Sequence, residues 1–311
     1  MARLKSARHH WWPRCVSRLW VDESGKTGWI KPDGTLLRLP PEHLGVIGNG
    51  HHIKLGDVAG GETAWDMTFE NEFDAADSRF PDVILWLASL ERRFVNDECV
   101  RRRFVSQAAS DDELRALTEC VVSLSVRSPR FREASVAAAD FLRSSIEPRE
   151  RNALIGLNMR ASQRMLADSI GCSAKFAVLF SSGKEFVYGD GFFHNLTAVG
   201  NVPHSPMIVA PITPEICVII AKPISYMVEP RLSTIILTED EVESCNHAVQ
   251  VYSSGSLFFR SEQPVLDAAF TSGKHLVYAH ADNPIDSLIR DIPGVAPRDK
   301  TIADLWDRVP R

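Results

Sequence analysis

"PMIVAPITPEICVIIAK", residues 206–222, decides the fold. Its two apolar runs are short and rich in β-branched residues, and they read as a pair of strands. Similar runs surround it from Lys175 onward: "KFAVLFSS", "EFVYG" and "STIIL". One helix, "EDEVESCNHAVQVYSSG", follows a Thr238 cap with acids in its first turn, where they complement the helix dipole. Upstream the pattern is helical. "DDELRALTECVVSLSV" spaces Leu114, Leu117, Val121 and Leu124 along one face behind Ser110. "PRFREASVAAADFLRSS" opens on a proline suited to a first turn, and "PRERNALIGLNMRASQRMLADSI" reads the same way. A further helix is expected after Thr63, kinked or restarted at Pro81. The first third returns to strands, with Glu23-Ser24-Gly25-Lys26 and Pro32-Asp33-Gly34 as hairpin turns.

Strands, then helices, then mainly strands predict an α+β fold, because the alternating βαβ order is missing. A mainly antiparallel sheet comes from the N- and C-terminal thirds, with a helical layer of about five helices over 63–170. The strands of 16–55 are expected to share a layer with those of 175–237, since neither set has enough apolar surface alone. Residues 1–263 read as one α+β domain, and 264–311 as a C-terminal extension packed on it.

A chain of 311 residues with 44% apolar content has material for a proper core. The net charge of −5 argues against a constitutive duplex binder, though a local basic patch is compatible with it. Six scattered cysteines with no CxxC spacing exclude a zinc knuckle and a disulfide framework, so no disulfide-linked partner is expected. No window approaches the roughly 20 apolar residues that span a bilayer, and no apolar stretch of signal-peptide length follows the basic first residues. These features predict a soluble cytoplasmic protein without a membrane partner.

Chemistry-bearing residues fall into two constellations. His9-His10 and His51-His52 are tandem imidazoles, and Glu70, Glu72, Asp190 and His194 supply carboxylates and a further base. Imidazole and carboxylate together hold a cation that lowers the pKa of bound water, the requirement of a hydrolytic metal site. Turn polarity explains the Gly189-Asp190-Gly191 run, and loop solvation the His51-His52 pair, equally well. Successive side chains of an extended segment face opposite ways, so one of His9 and His10 must face inward. Glu70 and Glu72, two apart on a helix, point about 200° apart, so only one can serve a given cation. Arginines 127, 130 and 132 form the second constellation, whose planar forks suit a phosphodiester track; solvated helix faces are the plainer explanation. Six of the tryptophans, at 11, 12, 20, 29, 65 and 86, could stack bases but suit packing of sheet on helix better. There is no GxSxG serine elbow and no phosphate-binding GxxxxGK[ST] loop.

The order of landmarks resembles a bacterial family catalogued as domain of unknown function 4238. It runs from His9-His10, Pro13 and Trp20 through "PEHLGVIGNGHHIKL", the acidic segment with Glu72, "SLSVRSPRFRE" and "IVAPITPEICVII" to the helix with Asn246, covering about residues 7–263. The resemblance favours Glu72 over Glu70. At "VYGDGFFHN" this chain keeps Asp190 but lacks the asparagine and proline that relatives carry. Residue type and family pattern together imply a composite site: His10, Glu72 and Asp190 as metal ligands and catalytic groups, His194 beside them, and His10 turned toward Glu72. The leading functional reading is a nuclease-like, metal-assisted phosphodiester hydrolase, of the kind used against foreign nucleic acid. Its implied cofactor is a divalent metal, and its partner is nucleic acid held by Arg127, Arg130 and Arg132. The alternative is a non-catalytic binding module with structural histidines and acids.

Overall fold

A computed structural model describes residues 8–48, 50–53, 67–143, 146–171, 173–192, 207–221, 230–276 and 284–295. The first third supplies short strands: β1 (Arg8–His10), β2 (Thr27–Ile30), β3 (Leu36–Leu39), β4 (Val46–Gly48) and β5 (His52–Ile53), with one-turn helix α1 (Arg14–Ser17) after β1. Gly34, at φ 82°, closes the β2–β3 hairpin in a conformation that side chains disfavour. β6 (Met67–Thr68) leads into a single 3₁₀ turn, Glu70–Glu72. The helical layer follows: α2 (Asp74–Ser89), α3 (Val100–Arg103), α4 (Asp111–Arg127), α5 (Pro129–Arg143) and α6 (Pro148–Gly171), interrupted by strand β7 (Val105–Gln107). Ser110 makes a full capping box with Glu113. Ser128, held extended before Pro129, separates α4 from α5. α2 runs through Pro81, which sits at an exposed position, so helix restart is not needed; the Thr63 cap lies outside the described residues.

The last third holds β8 (Lys175–Ser181), β9 (Tyr188–Gly189), β10 (Met207–Thr213), β11 (Ile216–Ala221), β12 (Leu232–Leu237), α7 (Glu239–Val251), β13 (Leu257–Phe259), α8 (Ala268–Thr271) and α9 (Pro284–Asp291). Thr238 caps α7 in a second full capping box, with Glu241. β10 and β11 are antiparallel neighbours, as the 206–222 stretch predicts.

The α+β class stands, but the sheets divide differently from expectation. A five-stranded sheet runs β10-β11-β8-β12-β7, antiparallel except for the β8–β12 pair. A separate four-stranded sheet, β3-β2-β13-β9, takes up the N-terminal hairpin. Of the strands of 16–55, β2 pairs with β13, which in turn pairs with β9, whereas β4 and β5 pair with β1 and β6; none pairs with the long strands β8, β10, β11 and β12. Aromatic packing explains the choice: Trp29 lies opposite Phe258, and Phe258 stacks on Trp12 with centroids 4.5 Å apart. Trp12 also stacks on Tyr188 at 4.6 Å. The indole N–H of Trp20 donates to the Ile212 carbonyl of β10 at 3.1 Å, tying this aromatic cluster to the larger sheet. Trp11, Trp12 and Trp20 are thus core and offer no face to a base; Trp65 lies outside the described residues. Ile285, Leu288 and Ile289 of α9 are buried. No helix among the described residues is long and apolar enough to cross a membrane, and the described cysteines are free thiols.

Gly28 marks where the four-stranded sheet is closed. A Cβ there would come 2.3 Å from the Phe259 ring. Gly28→Ala should cost about 1–3 kcal/mol of unfolding free energy, the usual effect of overpacking. Gly48→Ala, where a Cβ meets nothing within 4 Å, should cost far less. Urea titration of the two variants checks the difference; equal midpoints would contradict this packing.

Candidate metal centre

Strand β1 pairs with β4 in antiparallel register, His9 opposite Ile47 and His10 opposite Val46. The backbone N–H of Trp11 then donates to the Gly45 carbonyl at 2.7 Å, which turns the chain toward the aromatic core. Positions two apart share a face of an extended segment, so His9 and Trp11 both face inward. His9 is 2% exposed, whereas His10 is half-buried with its Nδ1 3.1 Å from the Leu44 carbonyl. The inward histidine is His9, not His10.

His9 meets the turn that precedes β5. Its ring lies 4.8 Å from that of His51 and 4.6 Å from that of His52, the latter edge-on. The His51 backbone N–H donates to His9 Nδ1 at 3.3 Å, and His9 Nε2 lies 3.5 Å from the Glu70 carboxylate. Nδ1 of buried His51 has no hydrogen-bond partner among the described residues. His9, His51 and Glu70 each bring a ligand atom within 4.8 Å of the others, and they are the one such group among the described residues. Glu70 is 61% exposed at its side chain, so the cluster is closed on the imidazole side and open to solvent on the carboxylate side.

The surroundings keep the imidazoles neutral. Burial, reinforced by the positive charges of Arg127 and then Arg132, pushes His51 down to about 2. Burial also lowers His9, with Glu70 opposing it. Neutral imidazole is the form that ligates metal. The His51 contact at Nδ1 places the His9 proton on Nε2, so a cation at either nitrogen gives up that one long hydrogen bond. Such a bond is worth about 1 kcal/mol.

His10, Glu72 and Asp190 form no such group among the described residues. Glu72 accepts from Arg160 Nε at 3.0 Å and from Arg164 Nη2 at 2.6 Å. The separation argument holds, because the two acids of the 3₁₀ turn do point apart; it is Glu70 that reaches a histidine. Asp190 is buried in the turn after β9 and accepts from the backbone N–H groups of Ser254 and Gly255, at 2.9 and 2.8 Å. Burial raises its carboxyl, which His275 and these N–H groups oppose. It is a turn-fixing residue. His194 lies outside the described residues.

The three arginines do not form a track on the surface. Arg127 is 2% exposed and forks onto Asp77 at 2.6 and 3.1 Å, with its guanidinium over the Phe73 ring. Arg130 is buried over Tyr252 and donates to the Tyr252 and Leu276 carbonyls. Arg132 donates to the Gly50 carbonyl at 2.8 Å, next to His51, and pairs with no carboxylate among the described residues. Helix periodicity sets this: α5 packs against α6 and the His51 turn, so its N-terminal arginines face protein. Sequence reasoning missed His9 as the inward residue, and Glu70; the signal was the alternation rule, whose phase depends on where β1 leaves its ribbon.

Comparison with protein-family models, with curated proteins and with solved structures finds no match.

The metal-free protein should show the charge cost of His51. Unfolded, this imidazole takes up a proton near pH 6.5; folded, it does so only near 2. Its contribution to stability is therefore complete above pH 6.5 and is lost as pH falls below it. Linkage gives about 2 kcal/mol lost between pH 7 and pH 5. Denaturant titrations in chelator at both pH values should show His51→Gln losing about that much less than the parent. Identical losses would mean that His51 is charged in the folded state.

Proposed function

We propose that this protein is a metal-assisted hydrolase whose cation is held by His9, His51 and Glu70. The convergence of these three ligand groups within 4.8 Å carries the reading. Two imidazoles and one carboxylate are the donor set of hydrolytic zinc centres, in which the fourth position carries the water. A cation held there would lower the pKa of a bound water toward 7, which is the chemistry it would supply at neutral pH. Access is from the Glu70 side. Arg132, fixed beside His51 through Gly50, provides positive charge for an anionic substrate, and this supports a phosphodiester. A nucleic-acid substrate and a cytoplasmic setting fit this reading, the latter because the described cysteines are free. A binding module is the second reading, favoured by the structural employment of Glu72, Asp190, Arg127 and Arg130.

Protein purified without a histidine tag should carry about one divalent metal per chain, as a three-ligand site requires. It should cleave bis-p-nitrophenyl phosphate, lose that activity to chelator and regain it with zinc or manganese. His51→Ala and Glu70→Gln should each weaken metal binding by more than the roughly 10–100-fold that loss of a supporting outer-shell group costs, while His10→Ala and Glu72→Gln retain it. Metal retention that is indifferent to His51 would overturn the site. Tight metal binding without turnover would establish the binding module instead.

A further inference from the structure

A second group of residues, sharing none with the metal centre, surrounds the turn between α7 and β13. Ser254 is partly exposed there. Its Oγ lies 2.9 Å from Nε2 of His275, and Nδ1 of the same ring lies 2.9 Å from the Tyr252 carbonyl. A carbonyl can only accept, so the neutral ring must carry its proton on Nδ1 and present Nε2 as a bare acceptor to the serine hydroxyl. These are the relations of a nucleophile to its base and of the base to the group that orients it. The Glu133 carboxylate stands 3.5 Å from Nε2, where it would stabilise an imidazolium formed there.

The parts around the pair are held in place. Asp190, buried, takes the backbone N–H groups of Ser254 and Gly255, fixing the turn that presents the serine. Arg130 donates to the Tyr252 carbonyl, which also orients the His275 ring, and to the carbonyl of Leu276, the residue after His275. Nε of buried Arg130 has no hydrogen-bond partner among the described residues. A Cβ at Gly191 would come 1.9 Å from the Tyr252 carbonyl and 2.8 Å from His275 Nδ1, so the Gly-Asp-Gly run is what lets the histidine seat against that carbonyl. A surface serine hydrogen bond needs no such buried scaffold.

The geometry points to Ser254 and His275 as a nucleophile–base dyad for acyl transfer from a carboxylic ester. Ser254 Oγ attacks the ester carbonyl carbon and its proton passes to His275 Nε2. The carbon–oxygen bond to the alcohol breaks, and the departing alkoxide takes that proton. Water then attacks the acyl-serine, giving its proton to Nε2, and the ester bond to Ser254 breaks to release the carboxylic acid and restore the hydroxyl. Sequence motifs miss the pair because the serine sits in "SSGS", not in GxSxG, and its base is twenty-one residues away.

The test uses the full chain in chelator, so that the metal centre takes no part. A fluorophosphonate probe should form an adduct that peptide mass spectrometry places on Ser254, and p-nitrophenyl acetate should give an acyl-enzyme burst. His275→Gln should slow the labelling at least about 100-fold, the usual contribution of a general base. As a second variant that keeps the fold, Ser254→Cys should react with iodoacetamide at neutral pH about tenfold faster than exposed Cys99, because a histidine partner favours thiolate. No adduct on Ser254 in the folded parent, labelling unchanged by His275→Gln, or a Ser254→Cys thiol no faster than Cys99 would each overturn the dyad.

Discussion

The guanidinium of Arg127 is the charge around which this interior is arranged. A buried guanidinium without partners is prohibitively unfavourable. Arg127 answers that with a fork onto Asp77 of α2, two bonds back to Ser123 in its own helix, and the face of Phe73. Removing Asp77 would leave the cation buried and unpaired, so α2 and α4 cannot separate cheaply. Phe73 in turn packs on His51, with centroids 4.9 Å apart. The same charge that locks the helical layer therefore lies behind the imidazole of the candidate metal centre, where it adds to burial, the larger cause, in keeping His51 unprotonated.

That coupling has a chemical cost as well as a use. Positive charge behind His51 opposes a bound cation as it opposes a bound proton. Asp77 offsets Arg127, and Glu70 offsets Arg132 on the solvent side. A doubly charged ion gains from three ligand atoms at once, which a single proton cannot do.

Local chemistry was the legible part of the sequence. The caps at Ser110 and Thr238 and the proline opening α5 depend on residues within four positions of one another, and all three form. Sheet partnership depends on distant segments. β8 pairs with β12 across more than fifty residues, and β2 and β13, more than two hundred residues apart, meet where Trp29 and Trp12 pack on Phe258 and Gly28 lies opposite Phe259. β7 has three residues and no periodic signal of its own. The site shows the same division. Alternation guarantees one inward histidine in a tandem pair, but the turn of the chain at Trp11 decides which, and it selects His9. Arg127 and Arg130 resemble a solvated basic face in sequence because the acids and carbonyls that bury them, at Asp77, Tyr252 and Leu276, lie elsewhere in the chain.

The central claim is that His9, His51 and Glu70 hold one cation, and X-ray absorption at the zinc edge tests it most directly. Protein loaded with one equivalent of zinc should show two imidazole nitrogens at about 2.0–2.1 Å, with oxygen completing a four-coordinate shell. His51→Ala should remove one of the two imidazole signals. A shell of oxygen atoms alone, or imidazole scattering that survives the loss of both His9 and His51, would contradict the account.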